Sequence, residues 1–364
     1  MKKKILSVVL SMAMIAAIAA GCGRAEGTTT ESGDSKAPTS EGAAVKTGDL
    51  SIEIVAKGFQ HDFWKAVKLG AEKAGTELGA TVNFVGPKDE SAVAEQVEQI
   101  NNAINKRPTA ICLAALDTEA VLGALSEAAQ ANIPIIGFDS GVPGADSIVA
   151  NASTNNYAAG QLAADKMYEI IKDKVTDSAE PVRIGVVSQD ATSQSIGERT
   201  GGFVDRMVEL IGADKASVEG HDKYNKTIKD AKVIIEIGIP ATVEDAACVT
   251  VANTLLNKSD LIAIYGSNEF AAKNIVTANE SLQKLGSDKV IGVGFDSGSI
   301  QLQAVKDGIL AGSITQDPVQ IGYQAVTMAV KAASGENVKD VDTGCLWYTA
   351  DNMQDEAIAP CLYE

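Results

Sequence analysis

From residue 50 onward, short apolar runs alternate with stretches of helical period, and midway the alternation starts again. Residues 51–55 read as a strand, 62–78 as a helix with Phe63, Val67, Ala71, Ala74 and Leu78 on one side, and 81–85 as a strand. A helix over 91–105, a strand over 110–114, a helix over 118–131 and a strand over 133–138 follow. After a short apolar run at 148–150 comes a long helix, 156–171, and a polar stretch, 172–181. The second round then places strands at 182–188, 232–237, 261–265 and 290–295, with helices at 195–211, 243–256 and 268–285. Charged residues 212–230 read as an irregular insertion, and 310–315 and a helix over 319–333 precede the tail. Strands that alternate with amphipathic helices build βαβ units and parallel sheets. Continuously apolar runs such as 110–114 suit strands covered on both faces. The fold class is therefore α/β, with two similar Rossmann-like halves.

Both halves contain the same phrase. Gly137-Phe138-Asp139-Ser140-Gly141 recurs letter for letter as Gly294-Phe295-Asp296-Ser297-Gly298, each time after an apolar run. Asp, Ser and Gly favour turns, so the phrase can be a turn and nothing more. In open parallel sheets, however, ligands bind beyond the carboxyl ends of the strands. The second reading gives two aspartates, Asp139 and Asp296, facing one crevice.

Other strand ends add candidates. Phe63 and Trp64 follow His61 in the most aromatic stretch of a chain that is 4% aromatic. Aromatic faces suit the apolar side of a sugar-like ligand. Neighbours on a helix diverge, which points Trp64 toward the crevice and Phe63 toward the core. Asn268 opens a helix after the strand ending near Tyr265, either as an N-cap or as an amide for a ligand hydroxyl. Gln316 closes another strand, Gln189 is a weaker candidate, and Arg199 reads as an exposed charge on a helix.

The start of the chain is an export signal. Lys2, Lys3 and Lys4 precede an apolar run to Ala20, and small residues lead into Cys22. Such a pattern marks a secretory leader rather than a fold element. Residues 23–49, rich in Gly, Ser, Thr and Glu, have no apolar period and read as a disordered tether. A net charge of −17 argues against nucleic acid as a partner. With two histidines and five cysteines, none in a C-x-x-C pair, no metal site or cofactor is expected. No phosphate loop or nucleophile elbow occurs, so no catalytic residue is expected. Asp139 and Asp296 as a glycosidase pair is the minor alternative. Cys345 and Cys361 of the exported chain either pair as a disulfide or remain thiols.

Taken together, the aromatic first loop, 133–139, Gly266-Ser267-Asn268-Glu269, 292–296 and 315–322 resemble the type I periplasmic sugar-binding proteins, the ribose-binding-like receptors of ABC importers. The resemblance implies two hinge-linked lobes joined by three crossovers: 50–153 with 317–345, and 154–316 with 346–364. It implies a ligand site made of Phe63, Trp64, Asp139, Asn268, Asp296 and Gln316, with His61 and Ser140 beside it. It further implies a sugar or related small molecule as ligand, and an ABC permease and ATPase as partners. The start resembles a bacterial lipobox with Ala19 in place of leucine, which implies a lipid on Cys22 and an extracytoplasmic protein anchored to the membrane. Three departures stand out: His61 where the ribose-type proteins carry asparagine, Ser140 where they carry arginine, and Gly197 in the place of a ligand-clamping arginine. A receptor feeding a sensor kinase or chemoreceptor is the alternative role for the same fold.

Overall fold

The computed structural model describes residues 50–59 and 61–364. The leader, the tether and Cys22 lie outside the described residues. Chain order in the first half is β1 (Ser51–Val55), α1 (Asp62–Leu78), β2 (Thr81–Val85), α2 (Val93–Asn105), β3 (Ala110–Leu113), α3 (Leu122–Gln130), β4 (Ile135–Phe138) and β5 (Ile148–Ser153). The second half runs α4 (Asn156–Asp177), β6 (Val182–Val187), α5 (Gln194–Ile211), β7 (Ala216–Glu219), β8 (Val233–Gly238), α6 (Asp245–Leu256), β9 (Leu261–Gly266), α7 (Glu269–Leu282), β10 (Ile291–Phe295), α8 (Ser299–Lys306) and β11 (Leu310–Gln316). The chain then returns through α9 (Pro318–Ala333), β12 (Val341–Asp342) and β13 (Cys345–Tyr348).

Two sheets result. One has the order β12-β5-β4-β3-β1-β2, the other β13-β11-β10-β9-β6-β8-β7. Every pairing is parallel except β13 against β11. Each sheet is sandwiched between helices, and its central strands are buried on both faces, as continuous apolar runs require. The chain passes between the sheets three times, at 153–156, 316–318 and 342–345. Cys345, expected at the end of the first lobe, already pairs with Gln316 in the second sheet.

Glycines set the closest helix contacts. A Cβ on Gly70 of α1 would collide with the Val319 carbonyl, and one on Gly322 of α9 with the Val67 carbonyl. In the second half, a Cβ on Gly160 of α4 would strike the Arg199 carbonyl, and one on Gly202 of α5 the Tyr157 carbonyl. The same device thus seats α1 on α9 and α5 on α4.

Several expectations are corrected. The 212–230 segment is not wholly irregular, because β7 adds an edge strand parallel to β8. Its four residues carry too short a pattern to separate from the surrounding charge. Helix α4 continues through residues 172–177, where Val175 is buried and the polar residues face water. Helix α8 follows the second phrase directly and was not anticipated. For Cys345 and Cys361 the second of the two alternatives holds: they are thiols, as are Cys112 and Cys248.

Candidate functional site

Asp139 and Asp296 each stand one residue past the end of a strand, β4 and β10. Both adopt left-handed backbone, with φ of 53° and 70°. The Asp139 N–H donates to the Ala152 carbonyl at 3.0 Å, and that of Asp296 to the Ile314 carbonyl at 2.5 Å. Each bond ties the aspartate to the neighbouring strand. This turn points the two carboxylates into one cavity, and both residues are 4% exposed.

Each aspartate meets a cation from its own half. Lys57, just past β1, places Nζ 3.4 Å from the Asp139 carboxylate and donates to Ser195 Oγ at 3.1 Å. Arg199 of α5 lies 3.5 Å from Asp296 Oδ2 and donates through Nε to Asn156 Oδ1 at 2.8 Å. Its guanidinium sits 3.9 Å from the centre of the Phe295 ring, which fixes the plane of the fork. Buried charges demand such partners. Gln316 completes the second set, donating from Nε2 to Asp296 Oδ1 at 2.6 Å. Burial pushes Asp296 above the usual carboxylate range, with the Arg199 charge opposing it.

A chain of hydrogen bonds crosses the cavity from one half to the other. Trp64 Nε1 donates to Glu90 Oε1 at 2.9 Å, and Gln189 Nε2 donates to Glu90 Oε2 at 2.8 Å. Gln189 in turn accepts from Asn268 Nδ2 at 2.5 Å. Asn268 also accepts from the Ala271 N–H at 3.0 Å, so it caps α7 as well as facing the cavity. Beside it, Glu269 lies 3.7 Å from His61 Nδ1. Burial first, then the charges of Asp296, Asp62 and Glu90, push Glu269 up to about 8. Burial lowers His61 below its usual value, against the pull of Glu90.

The cavity is narrow, about 30 Å³, on the order of the room that one or two ordered waters need. Phe63, Trp64, His61, Asp139, Asn268, Asp296 and Gln316 all line it. Ser140 does not: it is fully buried behind the phrase, where its hydroxyl accepts from the Ser195 N–H at 3.3 Å. Phe63 and Trp64 both face the cavity, because their rings meet edge to face at 5.0 Å instead of diverging. Lys57, Glu90, Ser195, Ile196, Arg199 and Glu269 were missed as lining residues. Arg199 is 2% exposed, not a surface charge. Its signal was available: Ile196, Arg199 and Phe203 follow helical spacing, which puts an arginine on a buried stripe. Nothing lies within 4 Å of a Cβ on Gly197; the arginine that this helix brings into the cavity is Arg199. Lys57 and Glu90 sit in loops whose polarity alone marks no direction.

Against known families, a model described as periplasmic binding protein domain matches residues 52–337. The ribose import binding protein of Haemophilus influenzae is 26% identical over 290 residues, covering 79% of this chain and 87% of the relative. Among solved structures, one described as an ABC transporter, LacI family transcriptional regulator from Brachyspira murdochii is 37% identical with a TM-score of 0.75. It covers 88% of this chain and all of that one. A carbohydrate transporter solute binding protein from Agrobacterium radiobacter, in complex with D-arabinose, is 28% identical with a TM-score of 0.74, covering 87% and 100%. An ABC transporter solute binding protein from Agrobacterium vitis with bound D-fucose is 30% identical with a TM-score of 0.73, covering 86% and 100%.

Proposed function

Because the chain belongs to the periplasmic binding protein family, a family of binding proteins rather than enzymes, we propose that it captures a sugar or related polyol between its two sheets and delivers it to an ABC importer. The observation that carries this reading is the pair of buried ion pairs, Lys57–Asp139 and Arg199–Asp296, offered by matching strand ends to one cavity. Carboxylates held in place by cations accept ligand hydroxyls without having to move. Trp64 and Phe63 supply apolar faces for the ring. The two sheets act as lobes about the three crossings, and the ligand favours the form in which both lobes touch it. Attachment to the membrane rests on a lipid at Cys22, a reading supported by the leader sequence alone.

The test is calorimetric titration of the purified protein with neutral pentoses, hexoses and their amino derivatives. Asp139→Asn and Asp296→Asn should each weaken the best ligand by roughly 10- to 100-fold, the worth of one or two hydrogen bonds to a charged acceptor. Unchanged affinity in both variants would remove the cavity from the ligand's path.

A further inference from the structure

We propose that the preferred ligand is a hydroxyl-rich molecule bearing a protonated amine, an amino sugar or amino polyol, with its ammonium seated beside Glu269, Asp296 and Gln316. This deepens the sugar-capture reading and rests on it. The walls of the cavity carry four carboxylates, Glu90, Asp139, Glu269 and Asp296, against two permanent cations, Lys57 and Arg199. Both cations already have an aspartate within 3.5 Å.

The imbalance is concentrated at one place. Asp296 receives the Gln316 amide on Oδ1 and the Glu269 N–H on Oδ2, at 2.6 and 3.2 Å, so both residues flank it. Glu269 Oε2 and Gln316 Oε1 are buried acceptors that receive no hydrogen bond from the described residues. Gln316 is 1% exposed and Glu269 9%. The nearest basic group to Glu269 is the imidazole of His61 at 3.7 Å, which burial keeps neutral. Lys273 is engaged with Asp245 at 2.8 Å. Asp62, Glu90 and Asp296 all act on Glu269 with the same sign.

The corner therefore offers acceptors and negative potential together. One hydroxyl supplies a single proton, whereas an ammonium supplies three donors and a charge. A metal ion is a poorer fit, since no group of three or more His, Cys, Asp or Glu among the described residues is placed to hold one. Uronates and sugar phosphates would bring a further negative charge to walls whose carboxylates already outnumber the cations. The net charge of −17 also draws cationic solutes toward the protein.

Matched titrations decide the matter: D-glucose, D-glucosamine and N-acetylglucosamine, the three galactose counterparts, and D-ribose and D-arabinose as pentose controls. At least one free amine should bind about tenfold or more tighter than both its parent sugar and its N-acetyl form, as expected for a charge-assisted contact. Near pH 7, repeating that titration in buffers of different ionisation enthalpy should show a proton released as Glu269 ionises. Glu269→Gln should bring the amine-to-parent affinity ratio down to about one, with a melting curve to confirm folding. If that variant does not fold, proton release by the wild type still decides. Parent sugars or pentoses binding as tightly as every amine would overturn the proposal while leaving sugar capture standing. No binding by any of the eight would overturn both.

Discussion

At Asp139 and Asp296 the backbone and the side chain make separate demands. Left-handed φ is tolerated by Asp and Asn better than by other non-glycine residues, so the phrase uses aspartate both to turn and to charge the cavity. Asn substitution keeps the turn and removes the charge, whereas Ala disturbs both. Asp139→Ala should therefore be less stable than Asp139→Asn by about 1 kcal/mol or more, read from urea denaturation without ligand. Equal stabilities would show that the positive φ costs nothing. Both substitutions leave Lys57 buried without its partner, so neither is neutral to folding. Glu269 has a different linkage. Its carboxyl rises from 4.5 to about 8 on folding, so between those values the folded state holds more protons than the unfolded one. Stability from this group is complete below 4.5 and declines as pH climbs through 8. Melting temperatures of the ligand-free wild type should fall more between pH 5 and pH 8.5 than those of Glu269→Gln. His61, lowered on folding, acts oppositely at acid pH, but it is common to both proteins. Parallel pH profiles would refute the shift.

Among the elements, α5 shows how packing far from the ligand sets the site. It carries Ser195, Ile196 and Arg199 into the cavity while Gly202 rests on the Tyr157 carbonyl of α4. A methyl at Gly202 must push the two helices apart. Gly202→Ala should cost about 1–3 kcal/mol and also weaken ligand binding, because Arg199 sits one turn away. Gly197 of the same helix faces open space, so Gly197→Ala should stabilise by roughly 0.5–1 kcal/mol, the helix-propensity difference. Chemical denaturation of the two variants gives opposite signs if this packing is right, and matching signs would contradict it.

Over the whole molecule, the two sheets are joined by three crossings and by contacts across the cavity. The Trp64–Glu90–Gln189–Asn268 chain is one of these. Closure on a ligand should change the emission of Trp64, which lines the cavity. A Trp347→Phe background leaves Trp64 as the single tryptophan, since the chain has two. A saturable emission change with ligand, alongside a smaller radius of gyration in solution scattering, is the expected pair of results. A change in neither would mean that ligand does not couple the sheets. Replacing Cys22 by Ala should shift the protein from the membrane fraction to the soluble one; unaltered retention would dispose of the lipid anchor.

The alternation of apolar runs and helical periods was enough for the α/β class and two parallel sheets, because strand and helix periods are local properties. The duplicated phrase was enough to mark Asp139 and Asp296, since the ends of buried strands are visible as the point where apolar sequence stops. What pairs with those aspartates was not visible. Lys57 lies far in sequence from Asp139, and Arg199 from Asp296, and no local pattern joins residues so distant. Ser140 has the composition of a ligand contact, yet the turn that aims Asp139 into the cavity sends its neighbour behind it. The charge surplus beside Glu269 likewise exists only once β9, β10 and β11 set Glu269, Asp296 and Gln316 side by side. Periodicity determines which residues are buried; only the meeting of strand ends decides which buried charges share a cavity.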